Sequence, residues 1–141
     1  MDRAFLVIAA LSGFLGVGLG AFGSHALRVR LTPERLGQFE IGVRYQLWHS
    51  LALFAVVFVR SLGPLGARGR VFSYAPLVAG INGSPASAIA GWLFVAGIVL
   101  FSGSLYGLAF TGVRRWGAVA PFGGLCLLLG WLALAIAAVT I

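Results

Sequence analysis

Four long apolar segments dominate the hydrophobic pattern of this chain, and most polar residues stand between them. The pattern predicts membrane-spanning helices at about residues 4–23, 43–62, 88–111 and 117–139. Each segment has the length, roughly 20 residues, that an α-helix needs to cross the hydrocarbon core of a bilayer. We therefore expect a single integral membrane domain, residues 1–141, with an all-α fold: a transmembrane four-helix bundle. The first segment is longer than the apolar core of a usual signal peptide, so we expect it to be retained as a span.

Glycines recur on one face of the first span. They follow each other at steps of 3, 4 and 3, and the set is Gly13, Gly16, Gly20 and Gly23. Gly103 and Gly107 form a second pair of small residues, four positions apart, in the third span. Small residues at this spacing let helices approach closely in lipid. We expect both sets to be helix-packing faces, open to a membrane-protein partner or to a second copy of the chain.

An amphipathic segment precedes the second span. Thr32 and Pro33 predict a helix start, with threonine as the N-cap and proline at the first position. The uncharged stretch 45–59 is short for a span, which leaves two possibilities. Either one continuous helix crosses the membrane while its arginines snorkel, or an interfacial helix breaks near Gly42.

A polar stripe runs along this second helix. Gln38, Gly42, Tyr45 and His49 share one face at steps of 4, 3 and 4, and Ala52 and Val56 continue it. This face predicts a helix–helix contact and not a lipid-facing surface. Glu40 and Arg44 form a possible i,i+4 ion pair on another side of the helix.

The connection between spans two and three, residues 60–88, is long and rich in glycine, proline and serine. Its apolar part, 71–81, predicts a re-entrant or interfacial piece, and Ser84–Pro85 predicts the start of the third helix. In that helix we expect Ser102 and Ser104 to return their hydroxyls to the preceding turn. Tyr106 is expected to hydrogen-bond across the bundle or to lie near an interface.

A tight link at residues 112–115 predicts an antiparallel hairpin of spans three and four. Pro121 and the glycine pair at 123–124 then predict a kink in the first third of span four.

Composition agrees with the membrane assignment. Of the residues, 60% are hydrophobic and only 9% are charged, whereas about a quarter are charged in soluble domains. The net charge of +7 comes from ten arginines and three acids. Because the arginines stand between apolar segments and not on one polar face, they indicate anchoring at lipid headgroups and exclude a nucleic-acid reader. We expect the lipid bilayer as partner, in a multi-pass integral membrane protein.

The arginines also favour one orientation. Six lie near the first and third connections and four lie towards the other side of the membrane. The six are Arg28, Arg30, Arg35, Arg44, Arg114 and Arg115. The positive-inside rule then favours cytoplasmic first and third connections and termini on the opposite side.

Two histidines suggest a ligand site. His25 follows the first span and His49 opens the second, so we expect both near headgroup level on one side of the membrane, where they can approach each other. Such a pair suggests a bis-imidazole haem or a metal centre. The favoured alternative is that each is an interfacial residue bonded to backbone or to a polar neighbour, because two neutral ligands do not complete a metal set. The candidate cluster is His25, His49, Tyr45, Gln46, Glu40 and Arg44.

Catalytic machinery is not evident in the sequence. No nucleophile–base set, phosphate loop or CxxC motif is present. Proton-coupled carriers need a carboxylate inside a span, and no predicted span contains one. We expect a non-enzymatic accessory or assembly protein without a cofactor. Two alternatives stay open: a ligand, haem or metal-binding module that uses the histidines, and an oligomeric channel or carrier.

Several motifs, taken in order, resemble one known family. They are GAFGSHAL at 20–27, YQLWHSLAL at 45–53, GIVLFSGSLY at 97–106, PFGG at 121–124 and the Gly130–Trp131 pair. Over nearly the whole chain they resemble the small four-span inner-membrane proteins that are number 423 among the domains of unknown function. The resemblance implies a helical membrane bundle with His25 and His49 at motif positions, and it implies no activity. The connection 60–88 is longer than the family's usual link.

Overall fold

The described part of the chain is helical throughout. The computed structural model describes residues 1–62 and 84–140. Its elements are α1 (Asp2–Phe22), a π-helical turn (Gly23–Leu27), α2 (Pro33–Leu62), α3 (Pro85–Gly97), a π-helical segment (Ile98–Ser102), α4 (Gly103–Thr111), a 3-10 turn (Arg114–Trp116) and α5 (Ala120–Val139). The segment α3–π–α4 forms the third span.

Four helices are long and apolar enough to cross a membrane, as the sequence predicts. They cover Asp2–Leu27, Pro33–Leu62, Pro85–Thr111 and Arg114–Val139. The predicted all-α transmembrane bundle is therefore confirmed. The re-entrant piece expected at 71–81 lies outside the described residues.

The second span is one uninterrupted helix of 30 residues. Thr32 caps it, since the Arg35 backbone N–H lies 3.4 Å from the Thr32 hydroxyl. Of the two possibilities left by the sequence, the continuous helix is correct, and the helix does not break at Gly42. At 1.5 Å per residue α2 is about 45 Å long, which exceeds the hydrocarbon core and lets its first turns extend beyond it.

Local sequence signals mark where span three begins and ends and where span four begins. Ser84 caps α3 and accepts a hydrogen bond from the Ser87 backbone N–H, as expected of Ser84–Pro85. Gly112 ends α4 with φ +71°, a left-handed conformation that glycine adopts without strain, and the chain then reverses into α5. Pro121 stands in the first turn of α5, so it starts that helix instead of kinking it as predicted.

The central helix of the bundle is α2, since α1, α3, α4 and α5 all pack on it. Spans three and four pack closely on each other, whereas α1 joins the bundle mainly through α2. The larger apolar core lies between all four spans and includes Phe5, Leu53, Phe94 and Leu127. The predicted polar stripe of α2 does face other helices: Gly42 packs on Tyr106, and Ala52 and Val56 are buried.

The glycine face of α1 is used inside the protein. A Cβ atom at Gly16 would meet Leu47, one at Gly20 would lie 3.5 Å from Val43, and one at Gly23 would meet Phe39, all side chains of α2. Gly107 likewise packs on Trp116, while nothing lies within 4 Å of a Cβ at Gly13 or Gly103. Three of the six glycines thus contact the neighbouring helix α2, and Gly107 contacts the 3-10 turn before α5.

Candidate functional site

A layer of buried polar side chains crosses the middle of the bundle. In α2 it comprises Gln46, His49 and Ser50, which are 6%, 5% and 2% exposed. His49 lies about 24 Å along α2 from Pro33 and about 20 Å from Leu62, so these residues are near the centre of the helix. Buried polar groups at this depth need partners within the protein, because lipid offers none.

Gln46 joins three spans through its side-chain amide. Its Nε2 donates to the Ser12 carbonyl of α1 at 2.8 Å. Its Oε1 accepts a hydrogen bond from the Tyr106 hydroxyl of α4, also at 2.8 Å. A single residue of the central helix thus fixes the position of the first and third spans, and the cross-bundle hydrogen bond expected of Tyr106 is present.

Ser50 reinforces the contact with α1. Its Oγ lies 2.7 Å from the Gln46 backbone oxygen and 2.7 Å from the Ser12 Oγ. Because a carbonyl only accepts, the Ser50 proton points at Gln46 and the Ser12 hydroxyl donates to Ser50. Both hydroxyls are therefore engaged inside the bundle.

His49 joins α2 to the last span. Its Nδ1 lies 2.7 Å from the Tyr45 backbone oxygen, and its Nε2 accepts the Trp131 indole N–H at 3.2 Å. A carbonyl only accepts and an indole only donates, so Nδ1 carries the proton and the ring is neutral. Phe94 and the Tyr45 ring, at centroid distances of 5.6 and 5.8 Å, complete the aromatic surroundings of the imidazole.

The two histidines are not neighbours. His25 lies in the exposed π-helical turn that ends the first span. Gly23, just before it, packs on Phe39, which precedes His49 by ten residues or about 15 Å of helix. The possible approach of the two histidines is therefore not found, because α2 continues as one helix and separates His49 from the turn that carries His25. A shared haem or metal between them does not fit this geometry.

The remaining candidate residues divide into two groups. Tyr45 and Gln46 belong to the buried layer or its edge, and the Tyr45 ring also packs on Phe101 at 4.5 Å. Glu40 and Arg44 are exposed and do not lie within 4 Å of each other, so the expected i,i+4 pair is not formed. In the described ranges the ion pair that does form joins Asp2 and Arg60.

This ion pair closes the opposite end of the bundle from His25. Arg60, only 4% exposed, donates from Nε to the Asp2 carboxylate and from Nη1 to the Ser87 hydroxyl at 3.0 Å. Ser87 in turn donates to the Ser84 backbone oxygen at 2.6 Å. The network ties together the beginning of α1, the end of α2 and the beginning of α3.

Several residues of the polar layer were not predicted from the sequence. Ser12, Ser50 and Trp131 carry no local pattern that marks them, because their partners are 34 to 82 residues away. Ser102 also differs from expectation: its hydroxyl is buried and has no hydrogen-bond partner among the described residues, while Ser104 donates to the Phe101 oxygen at 2.9 Å as predicted. Ser102 ends the π-helical segment of span three, a distortion that often marks functional sites.

A groove of about 420 Å³ lies beside the polar layer, between α1 and the third span. Exposed apolar side chains of both helices, including Leu11, Leu15 and Val99, border it. Its polar lining is provided by Ser12, Gln46 and Tyr106. An apolar cleft with a few convergent polar groups is the usual form of a small-molecule site.

Four apolar helices around a buried polar layer define a multi-pass membrane protein. Residues 19–124 match the family described as "Protein of unknown function (DUF423)", and the chain belongs to this family. The family resemblance seen in the sequence is confirmed.

The chain is similar along nearly its whole length to named bacterial relatives. The UPF0382 membrane protein YwdK of Bacillus subtilis is 36% identical over 137 residues, which cover 97% of each chain. The UPF0382 inner membrane protein YgdD of Escherichia coli K12 is 33% identical over 138 residues, which cover 98% of this chain and 91% of YgdD. No solved structure matches. The protein described here is a multi-pass inner membrane protein.

Proposed function

We propose that this protein is a non-enzymatic accessory protein of the membrane that holds a lipid-soluble molecule in the groove between α1 and the third span. The observation that carries the proposal is the lining of this groove of about 420 Å³, where Gln46 and Tyr106 place hydrogen-bonding atoms in an otherwise apolar cleft.

A non-catalytic role is supported by the state of the polar groups. The ring nitrogens of His49 are both engaged by protein atoms, so this imidazole has no free position for a proton transfer or a metal. Asp2 is paired with Arg60, and Glu34 and Glu40 are exposed near the beginning of α2, far from the groove. In the described ranges no group of three or more metal-binding side chains forms. These features favour binding over reaction.

The location of the groove favours a ligand from the bilayer over a channel substrate. The space between the four spans is filled by side chains such as Phe5, Leu53 and Phe94, which are fully buried. The groove opens sideways, where Leu11 and Val99 are 58% and 65% exposed. A molecule dissolved in the hydrocarbon can therefore reach it without crossing the bundle.

The test is retention of a membrane-derived molecule by variants that fill the groove. Gly103 lines the groove and a Cβ there meets nothing within 4 Å, so Gly103→Leu adds a side chain at the cleft whose first atom is free of contacts. Gly13→Leu is the matched control, since a Cβ at Gly13 is equally free and the residue does not line the groove. Each protein is purified from native membranes and its bound small molecules are identified by mass spectrometry.

We expect the wild type and Gly13→Leu to retain the same molecule and Gly103→Leu to lose at least about 90% of it, because the new side chain takes its place. Equal retention by the two glycine variants, or a wild type that carries nothing beyond bulk phospholipid, would overturn the proposal.

A further inference from the structure

The hydrogen-bonding atoms of the groove identify the chemistry of its ligand. Resting on the function proposed above, we infer that the ligand is an apolar molecule with one neutral hydroxyl group, and that this hydroxyl docks between the amide of Gln46 and the phenol oxygen of Tyr106. The inference follows from counting which donors and acceptors the two side chains have already used.

The side-chain amide of Gln46 has one hydrogen-bond donor that no described residue uses. A primary amide carries two N–H groups on its nitrogen. One of them donates to the Ser12 carbonyl, and the other has no partner among the described residues. Gln46 is only 6% exposed, so water does not satisfy the second N–H at this depth of the membrane.

Tyr106 has an acceptor left. Its hydroxyl proton is directed at Gln46 Oε1, 2.8 Å away, and this fixes the phenol oxygen as an acceptor for any further contact. No donor reaches that oxygen from the described residues. Gln46 and Tyr106 both line the groove and are bonded to each other, so the unused N–H and the phenol oxygen belong to two adjoining side chains of the same cleft.

A hydroxyl group matches this pair, because it accepts one hydrogen bond and donates another. A ketone, an ester or an ether satisfies only the N–H of Gln46 and donates nothing to the phenol oxygen of Tyr106. A phosphate or carboxylate brings charge into a cleft whose lining residues carry no formal charge. The remaining lining is apolar, and residues such as Leu15 and Val95 suit a hydrocarbon skeleton.

The experiment compares three probes that share one isoprenoid skeleton: farnesol, its methyl ether and the hydrocarbon farnesene. Binding to the full-length protein is measured in phosphatidylcholine nanodiscs, as displacement of radiolabelled farnesol. We expect farnesol to bind at least ten-fold more tightly than either analogue. Gln46→Met keeps the size of the side chain and removes its amide. In this variant the affinity for farnesol should fall to within about three-fold of the affinity for farnesene.

Failure of this inference can be told from failure of the proposed function. If the three probes bind equally, and all are excluded by Gly103→Leu but not by Gly13→Leu, the groove binds apolar molecules and hydroxyl recognition is overturned. If none binds while Gly103→Leu still loses a membrane-derived molecule, the ligand class is wrong and the groove function stands. The comparison of probes on the wild type decides the matter even if Gln46→Met does not fold.

Discussion

Trp131 donates its indole N–H to His49 Nε2 at 3.2 Å, and this bond links the central helix to the last span. His49→Leu leaves the indole N–H unpaired beside apolar groups. We expect it to lower the free energy of unfolding by about 0.6–2 kcal/mol, the span of values for interhelical hydrogen bonds in lipid. Reversible unfolding in mixed detergent micelles measures the change.

The chain provides its own control in the second histidine. His25 is exposed, and no side-chain hydrogen bond of its imidazole appears among the described residues. His25→Leu should therefore change the free energy of unfolding by less than about 0.5 kcal/mol. Equal effects of the two substitutions would show that the His49–Trp131 bond does not stabilise the bundle.

The Asp2–Arg60 pair is expected to stabilise the end of the bundle that holds both termini. Asp2→Asn leaves the buried Arg60 guanidinium without its counter-charge, and removal of one partner of a buried pair costs about 3–5 kcal/mol. Asp2 is 21% exposed, so we expect the lower end of that range. The measurement is again the free energy of unfolding, with Arg3→Gln, at an exposed position, as control.

The double variant Asp2→Leu with Arg60→Met removes both charges together. It should recover most of the stability lost in Asp2→Asn, because no charge is then left unpaired. A double variant as unstable as the single one would contradict an electrostatic role for the pair.

Alanine substitutions at two buried serines should have different effects on the free energy of unfolding. Ser50→Ala removes the partner of the Ser12 hydroxyl, and we expect a loss of about 1 kcal/mol in the free energy of unfolding. Ser102→Ala removes a buried hydroxyl without a hydrogen bond among the described residues, so it should be neutral or stabilising by up to about 1 kcal/mol. A marked loss of stability in Ser102→Ala would mean that this hydroxyl has a partner.

The orientation expected from the arginines can be tested by labelling. In a Cys126→Ala background, a single cysteine replaces either Val113, in the link between spans three and four, or Arg3. A membrane-impermeant thiol reagent added outside intact cells should label the residue 3 position at least ten-fold faster than position 113, because the positive-inside rule favours cytoplasmic first and third connections. Faster labelling at position 113 than at position 3 would show the opposite membrane orientation.

The fold was accessible from the sequence because its signals are local. Apolar length marks the four spans, Thr32 and Ser84 mark helix starts, and Gly112 marks the reversal between spans three and four. The periodic glycines of α1 also indicated a packing face correctly. Which helix covers that face depends on long-range packing, and the structure shows that it is α2.

The site was harder to predict from the sequence, because the burial of a side chain and its hydrogen-bond partner depend on how distant helices pack. The charged residues Glu40 and Arg44 give the beginning of span two an interfacial pattern, and His49 follows Arg44 by only five positions. Since α2 is continuous, His49 lies near the middle of this helix and is buried in the bundle. Trp131, the partner of His49, is 82 positions away and could be found only once the helices were packed.

The sideways opening of the groove determines how its occupancy responds to conditions. A ligand that enters between Leu11 and Val99 arrives from the hydrocarbon phase, so the relevant concentration is its mole fraction in the bilayer. Added buffer leaves that fraction unchanged for a strongly partitioning molecule, whereas added lipid lowers it in proportion. Under the proposed function, occupancy of the groove therefore follows the composition of the membrane and is insensitive to the volume of water around the protein.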